Sequence, residues 1–516
     1  MRENAIFIAY QDQENLGVGY LASYLKSKGY SSKIIDWKKD PEFIYNQILE
    51  ANPVLVGFSL IFQYDFNKLC RLSNYLREKG ITQHFTVGGH YPSLRYKTVL
   101  DNAGSIDSVV RFEGELTLHD LVKTLHEGGN WRTIPGIAYT ENGESHSNTL
   151  RPLIEDLDTL PFPERSHSQE YTCMEVKFTS LLGSRGCYRN CSFCSIRAFY
   201  GAPPGQLRRT RSPENIVDEM EELYKKDVKI YLFQDDDFFT PGPTGQDWAR
   251  GLHDELFGRE FSSDILWKIN CRADEVTEDF FKRLREVGLY MVYLGIESGS
   301  DEGLKLMNKQ LKVRDNLKAV ETLKKLGMTY DFGFMLFDPL SSFRSLRENI
   351  GFLRTICEDG SAPVTFCKML PYAGTPIEAL LVEEGRLVGG ITNPDYMFLS
   401  PMVDGYYDYV TQAFNEYMGP GGLSQVLRWH INELNVIEKF YREPKGFGEY
   451  REGFRRIVSG SNMAALDALE SGLKVFEEGR LDYGRLRDIQ LGLVGKHRDL
   501  RSSLREEMST LHNFNQ

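Results

Sequence analysis

The chain has 516 residues, of which 41% are hydrophobic and 26% charged, with a net charge of −12 and eight cysteines. That length provides for roughly two to four domains with sizeable cores. No apolar run approaches the roughly 20 residues of a membrane span, and the acidic balance argues against nonspecific nucleic-acid binding. Met1-Arg2-Glu3-Asn4 runs straight into a strand-like segment, so no signal peptide is expected. Cys70, Cys173, Cys271, Cys357 and Cys367 stand singly among apolar neighbours and read as buried free thiols, which fits a reducing, cytoplasmic location.

Residues 1 to about 125 alternate short apolar strands with amphipathic helices, the pattern of a doubly wound parallel sheet. Strands are expected at Ala5–Tyr10, Ser32–Asp36, Val54–Ser59, Phe85–Gly88 and Ser108–Arg111. The intervening helices fall at about Leu16–Lys28, Pro41–Ala51, Tyr64–Lys79 and Pro92–Asn102. Such sheets bind ligands beyond the carboxyl ends of their strands. Three of those ends carry candidate features: Asp12-Gln13-Glu14-Asn15-Leu16-Gly17, Ser59-Leu60-Ile61 and Gly88-Gly89-His90. Gly17-Val18-Gly19-Tyr20-Leu21-Ala22 also matches GxGxxA, with Asp36 as a candidate ribose ligand. Gln11 to Leu16 separate that run from its strand, however, and Gly17 reads as part of the helix.

Together the three strand ends resemble the cobalamin-binding domain, whose pattern is Asp-x-His-x-x-Gly, Ser-x-Leu and Gly-Gly. Asp12 and Gly17 match the first motif, Ser59 the second, and Gly88 with Gly89 the third; Glu14 takes the place of the histidine. The resemblance implies that these residues bind cobalamin. The two glycines would let the backbone pass close to its nucleotide tail, because glycine lacks a Cβ.

Residues of about 126–178 join this region to the next. Ile137–Tyr139 and Glu144–Asn148 flank a Thr140-Glu141-Asn142-Gly143 hairpin turn. Leu157 to Arg165, with Pro161 and Pro163, reads as an extended linker because each proline biases its predecessor away from helix.

Gly183-Ser184-Arg185-Gly186-Cys187-Tyr188-Arg189-Asn190-Cys191-Ser192-Phe193-Cys194 organises the chain. Cys187, Cys191 and Cys194 can hold three corners of a four-iron, four-sulfur cluster and leave the fourth iron open to an exchangeable ligand. A structural zinc takes four ligands, and no fourth cysteine or His-x3–5-His completes such a site. From residue 178 to about 380, strands and helices alternate at barrel-like spacing. Strands are expected at Lys177–Leu182, Lys229–Gln234, Leu266–Asn270, Tyr290–Ile296, Thr329–Leu336 and Val364–Met369. Polar residues gather where these strands end: Asp235-Asp236-Asp237, Arg272 with Asp274, and Glu297-Ser298-Gly299.

The Cys-x3-Cys-x2-Cys spacing with Phe193 before the last cysteine resembles the radical S-adenosylmethionine (SAM) enzymes. So do Phe233–Phe238, Arg272–Asp274 and Gly295–Gly299. The resemblance implies a partial (β/α)6 barrel in which the open iron chelates SAM and the cluster's electron cleaves it to a 5′-deoxyadenosyl radical. Phe193, Asp235, Asp236, Arg272, Glu297 and Ser298 are the candidate SAM contacts. Phe337-Asp338-Pro339-Leu340 departs from the Gly-x-Pro-Gly turn usual in relatives, whereas Pro371–Pro376 keeps the family pattern with alanine for a proline.

Beyond about residue 380 strands are expected to give way to helices, at Leu423–Tyr441, Ser461–Glu478 and Leu486–Leu511, with a break at Met418–Gly422. Tyr396, Phe398, Tyr406, Tyr407 and Tyr409 read as packing residues or as a substrate-pocket wall. The organisation expected is therefore a cobalamin-binding-type domain over 1–150 with a linker to about 177, a radical SAM barrel over 178–380, and a helical domain over 381–516. The resemblance implies a cobalamin-dependent radical SAM enzyme that methylates an unactivated carbon of a small molecule, reduced by a flavodoxin or ferredoxin, with no nucleic-acid or membrane partner. Oxidative cyclisation or rearrangement, and a noncatalytic cobalamin or redox sensor, are the alternatives.

Overall fold

The computed structural model describes residues 3–11, 14–165, 171–240, 242–441, 446–479 and 481–514. The first sheet holds β1 (Ala5–Ala9), β2 (Ser32–Asp36), β3 (Leu55–Ser59), β4 (His84–Gly88) and β5 (Ser108–Val110), parallel in the order 2-1-3-4-5. The antiparallel hairpin β6 (Ile137–Glu141) and β7 (Glu144–Ser147) extends one edge. The first crossover helices are α1 (Leu16–Ser27), α2 (Pro41–Ala51) and α3 (Phe66–Glu78), and α4 (His90–Leu94), α5 (Tyr96–Asn102) and α6 (Glu115–His126) complete the layers. Every side chain of β1 is buried because helices cover both faces. Ile6 and Ile8 face one core, and Ala5, Phe7 and Ala9 the other. Asn15 caps α1 by accepting from the Val18 amide, which fixes where the helix starts after the β1 loop. The helix expected over Pro92–Asn102 instead begins at His90 and breaks at Arg95, whose guanidinium leaves to pair with Glu378 at 2.5 Å.

The second sheet is the half-barrel. β8 (Tyr171–Cys173) pairs antiparallel with β9 (Val176–Leu181), and a small ribbon of β10 (Ser184–Arg185) and β11 (Arg209–Thr210) brackets α7 (Ile196–Gly201). Parallel to β9 run β12 (Val228–Phe233), β13 (Leu266–Cys271), β14 (Leu289–Glu297), β15 (Thr329–Phe337) and β16 (Cys367–Lys368). Their outer face carries α8 (Pro213–Tyr224), α9 (Pro243–Phe257), α10 (Glu278–Glu286), α11 (Asp301–Leu306), α12 (Val313–Lys325) and α13 (Phe343–Cys357), followed by α14 (Pro376–Glu383). The sixth strand is shorter than expected because Val364 spends its backbone elsewhere. Its amide donates to Asn462 Oδ1, and its carbonyl accepts from Tyr417 and Ser424, all in the C-terminal helices.

Strands do not end at residue 380, since β17 (Leu387–Val388) and β18 (Asp395–Tyr396) form a short hairpin. Then come α15 (Pro401–Ala413), α16 (Asn415–Met418), α17 (Leu423–Phe440), α18 (Phe447–Glu477) and α19 (Tyr483–Phe514). α18 starts at Phe447 rather than Ser461, because Phe447, Tyr450, Phe454 and Ile457 continue its apolar stripe. Among the described residues no helix is long and apolar enough to cross a membrane.

Candidate cofactor and substrate site

The cysteine loop leaves the end of β9 and is held by the residues that end β12. Asp235 accepts from the Gly183 amide at 3.0 Å and from the Ser184 hydroxyl, and Asp236 accepts from the Gly186 amide at 3.1 Å. Gly186 has φ +80°, and a Cβ there would stand 1.8 Å from the Leu207 carbonyl oxygen, so only glycine fits. Ser192 ties the far side of the loop to the end of α11 through the Leu306 and Met307 carbonyls, at 2.6 and 3.0 Å. Burial pushes the Cys187 thiol up to about 11 and that of Cys194 to about 12, with Asp237 adding to Cys187 and the other two cysteines to Cys194. Bound iron would supply the positive charge that makes such thiols bind as thiolates. Among the described residues no three His, Cys, Asp or Glu side chains are gathered tightly enough for one metal ion. A cuboidal cluster does not need that, because each thiolate binds a different iron.

Charged groups surround the Cys191 thiol, chiefly Lys309, Arg272, Glu297 and Asp237. Arg272 bonds Asp274 at 3.0 Å and the Lys309 carbonyl at 2.7 Å, and its buried Nη1 has no partner. The buried Asp237 faces the Glu275 carboxyl, and burial together with that acid holds its own carboxyl well above the usual range. An unpartnered guanidinium nitrogen beside the thiols fits the carboxylate of SAM's methionine moiety, and the facing acids Asp237 and Glu275 fit its ammonium, whose charge would let them ionise. Glu297 sits at φ +65° where β14 bulges between Gly295 and Glu297, and pairs with Lys309 at 3.4 Å. Gly295 and Gly333 leave it room, since a Cβ on either would approach a Glu297 carboxylate oxygen to 3.1 or 3.2 Å.

Of the expected SAM contacts, Arg272 and Glu297 thus lie beside the cysteines. Asp235 and Asp236 bind the loop's own backbone. Ser298 is fully buried against Asn349 at 3.1 Å, and Phe193 packs on the barrel core. Sequence reasoning does not single out Asp237, Glu275 or Lys309 as contacts. Asp237 stands third in the aspartate run and Glu275 follows Arg272-Ala273-Asp274, but Lys309 carries no local signal.

A cavity of about 300 Å³ lies beyond the carboxyl ends of β1, β3 and β4. Gly17, Ser59, Gly88 and Gly89 all line it, as do Asn15 and Thr86, while Arg185, Asp236 and Gln234 close it from the barrel side. Gly89 has φ +117°, and a Cβ there would stand 2.3 Å from the Leu60 carbonyl oxygen. This glycine-lined crevice at the β1/β3 switch point fits a long, flat ligand such as cobalamin, whose tail must pass close to backbone. Glu14 does not line the cavity. Its carboxylate accepts from Arg165 and Thr179, each at 2.5 Å, and from the Ser180 amide, and so joins the first sheet to β9. Asp12 lies outside the described residues.

A second cavity, of about 610 Å³, lies inside the half-barrel, with α17 as one of its walls. Gln234, just beyond β12, lines both cavities. Tyr396, Phe398 and Tyr406 are buried, and with Tyr407 they pack around Phe337 or Lys368; none of the five C-terminal aromatics lines the barrel.

The B12 binding domain family model matches residues 6–122, and the radical SAM superfamily model matches residues 181–346. The chain is a radical SAM enzyme with a cobalamin-binding domain. It is 29% identical over 381 residues to an uncharacterized methyltransferase of Pyrococcus horikoshii, covering 72% of this chain and 79% of that protein. It is 27% identical over 369 residues to the hopanoid C-3 methylase of Methylococcus capsulatus, with 70% and 67% covered. Similarity to the anaerobic magnesium-protoporphyrin IX monomethyl ester cyclase of Rubrivivax gelatinosus is 26% over 429 residues, with 78% and 74% covered. In fold it resembles the radical enzyme OxsB with aqua-cobalamin and SAM bound, at TM-score 0.66, 17% identity, and coverage of 100% of this chain and 85% of the other. It also resembles the methyltransferase TsrM from Kitasatospora setae with cobalamin and a [4Fe-4S] cluster, at TM-score 0.64, 13% identity, with 92% and 99% covered. The expected order of a cobalamin-type sheet, a radical SAM half-barrel and a helical region is thus established, and the enzyme's cofactors are a 4Fe-4S cluster, SAM and cobalamin. Like other radical SAM enzymes it requires a reductant.

Proposed function

We propose that this enzyme methylates an unactivated carbon of a small-molecule or natural-product intermediate bound inside the half-barrel. The observation that carries this reading is Gln234, which lines both the cobalamin-side cavity and the barrel cavity, so a substrate in the barrel abuts the methyl-carrying cofactor. When bound, the cluster and SAM supply a hydrogen-abstracting radical and cobalamin supplies the methyl group. Cys187, Cys191 and Cys194 would hold the cluster. Arg272 and Asp237 would take SAM's carboxylate and ammonium, and the Lys309–Glu297 pair fixes the barrel wall beside them. Gly17, Ser59, Gly88 and Gly89 would shape the cobalamin crevice, and α17 forms one wall of the barrel cavity. Methylase relatives covering most of this chain support the reading. The location we propose is the cytoplasm, with a flavodoxin or ferredoxin as electron donor.

The cyclase relative, which covers as much of the chain, favours a second reading, oxidative cyclisation without methyl transfer. The test is turnover of host metabolites by the reduced, reconstituted enzyme with methyl-labelled SAM, followed by mass spectrometry. A product heavier by one labelled methyl group is expected. An unlabelled product that has lost hydrogens would replace methylation by cyclisation. Cys191→Ala is expected to lose most cluster absorbance and all 5′-deoxyadenosine production.

A further inference from the structure

The barrel cavity has an apolar wall and a polar floor. Phe178, Ile230 and Leu232 line it from the first two strands, and Val426, Trp429 and Val436 from α17. Successive residues of β13 face opposite sides, so Trp267 and Ile269 enter the core while Lys268 turns into the cavity.

Both acids of this cavity already have hydrogen-bond partners other than its lysine. Asp331 on β15 accepts from both Nε and Nη2 of Arg428, and its other oxygen accepts from the Phe332 amide. Glu433 bonds His430 Nδ1 at 2.6 Å, and the opposite ring nitrogen meets the Tyr450 hydroxyl at 2.6 Å. Lys268 is left with a neutral partner, donating to Asn270 Oδ1 at 2.7 Å and standing 5.5 Å from the centre of the Tyr293 ring. Among the described residues no carboxylate lies within 4.0 Å of its nitrogen. An ammonium taken out of bulk water without a counter-charge is costly, and a site that keeps one gains most when a ligand brings the counter-charge. Burial pulls this amine down to about 8, with Asp331 raising it and Arg428 lowering it, and an anionic ligand would favour its charged form.

Building on the reading of the barrel cavity as the substrate site, we propose that Lys268 binds an anionic oxygen group of the substrate, a carboxylate or a phosphate, and that the apolar wall of the cavity takes the substrate's hydrocarbon or aromatic body. The substrate class is then an amphipathic organic acid or phosphate ester. Its anionic end is fixed at mid-strand on β13, which leaves the opposite end to extend toward Gln234 and the cofactors. Lys268 acts here as a positioning residue.

The test uses the full-length, cluster- and cobalamin-reconstituted enzyme and three probes that share one body: 6-phenylhexanoate, 6-phenylhexyl phosphate and the neutral 6-phenylhexanamide. Binding is read by calorimetry and by Trp429 fluorescence. At least one anionic probe is expected to bind tenfold or more tightly than the amide. Lys268→Met is expected to abolish that preference, and Lys268→Arg to retain it. The preferred anion identifies the group as carboxylate or phosphate. Equal binding of all three probes, no binding of any, or a preference that survives Lys268→Met would overturn the proposal. These readouts need no turnover. Failure of the anion preference in an enzyme that still transfers label would leave methyl transfer intact, and an enzyme that cleaves no SAM would still report on Lys268.

Discussion

Replacing Arg165 by methionine should destabilise the enzyme more than any change to the acid it holds. Arg165 Nη1 bonds Glu14 at 2.5 Å, Thr179 at 2.6 Å and the Ser180 carbonyl at 2.9 Å, while Nη2 bonds Glu219 at 2.8 Å. The side chains of Arg165, Glu14 and Glu219 are 15%, 14% and 3% exposed, so the pairs are largely out of water. Removing one partner of a buried pair costs about 3–5 kcal/mol, because the other charge stays buried without compensation. Glu219 would keep Arg211 at 2.5 Å, whereas among the described residues Glu14 would keep only the neutral donors Thr179 and the Ser180 amide. In Glu14→Gln the arginine retains Glu219, so the loss is limited to about 1.5–3 kcal/mol, the worth of one bond to a charged group. A neutral amide in place of the Glu14 carboxylate also leaves no stranded charge once Arg165 is gone, so the double variant should be more stable than Arg165→Met alone. Urea unfolding followed by tryptophan fluorescence measures all four corners of the cycle. The visible spectrum of bound cobalamin should not change in Glu14→Gln, since the carboxylate faces Arg165 and not the cavity. Strictly additive costs, or a spectrum that shifts with Glu14, would refute the assignment of Glu14 as a clasp between the two sheets.

Gly89→Ala and Gly80→Ala separate backbone strain from steric clash. Both glycines have positive φ, +117° and +89°, but a Cβ meets the Leu60 backbone at position 89 and nothing within 4 Å at position 80. Gly80→Ala should cost about 1–2 kcal/mol and leave cobalamin bound. Gly89→Ala should cost more and release the cofactor on gel filtration, and equal behaviour of the two would count against the cradle. His84 provides a pH signature. Buried against Trp131 and bonded to Ser108 at 2.8 Å, it is pulled down to about 4, chiefly by desolvation. The unfolded chain therefore binds more protons than the folded one between the ordinary value near 6.5 and about 4. Stability present above pH 6.5 falls by about 3 kcal/mol as the pH drops through that window. Denaturation midpoints measured across it should slope in the wild type and lose much of that slope in His84→Asn.

How much was legible depended on whether the signal was local. Cys187, Cys191 and Cys194 carry their meaning in their spacing, and Gly17, Ser59, Gly88 and Gly89 carry theirs at strand ends, where the parallel sheet brings them together. An acid at a strand end is ambiguous, because Asp235 and Asp236 satisfy loop amides through the same chemistry that would hold a cofactor. Glu14 takes the place of the family pattern's histidine and was expected beside cobalamin, but its partner Arg165 lies 151 residues away. The shortened β16 and the position of Lys268 depend on the C-terminal helices, α17 among them, which dock on the barrel from far along the chain. No local pattern on β13 announces that a lysine there faces a cavity whose other wall is α17.

As the proposed methyltransferase, this one chain would hold cobalamin beside a working radical SAM centre and load it with methyl groups. The direct measurement is on protein purified without oxygen from cells supplied with cobalamin, incubated with reductant and methyl-labelled SAM, then extracted for mass spectrometry. Methyl transfer requires cobalamin bound in near-stoichiometric amount, label recovered in that cobalamin, and 5′-deoxyadenosine in the supernatant. An N-terminal domain empty of cobalamin, or bound cobalamin that stays unlabelled while 5′-deoxyadenosine accumulates, would contradict it.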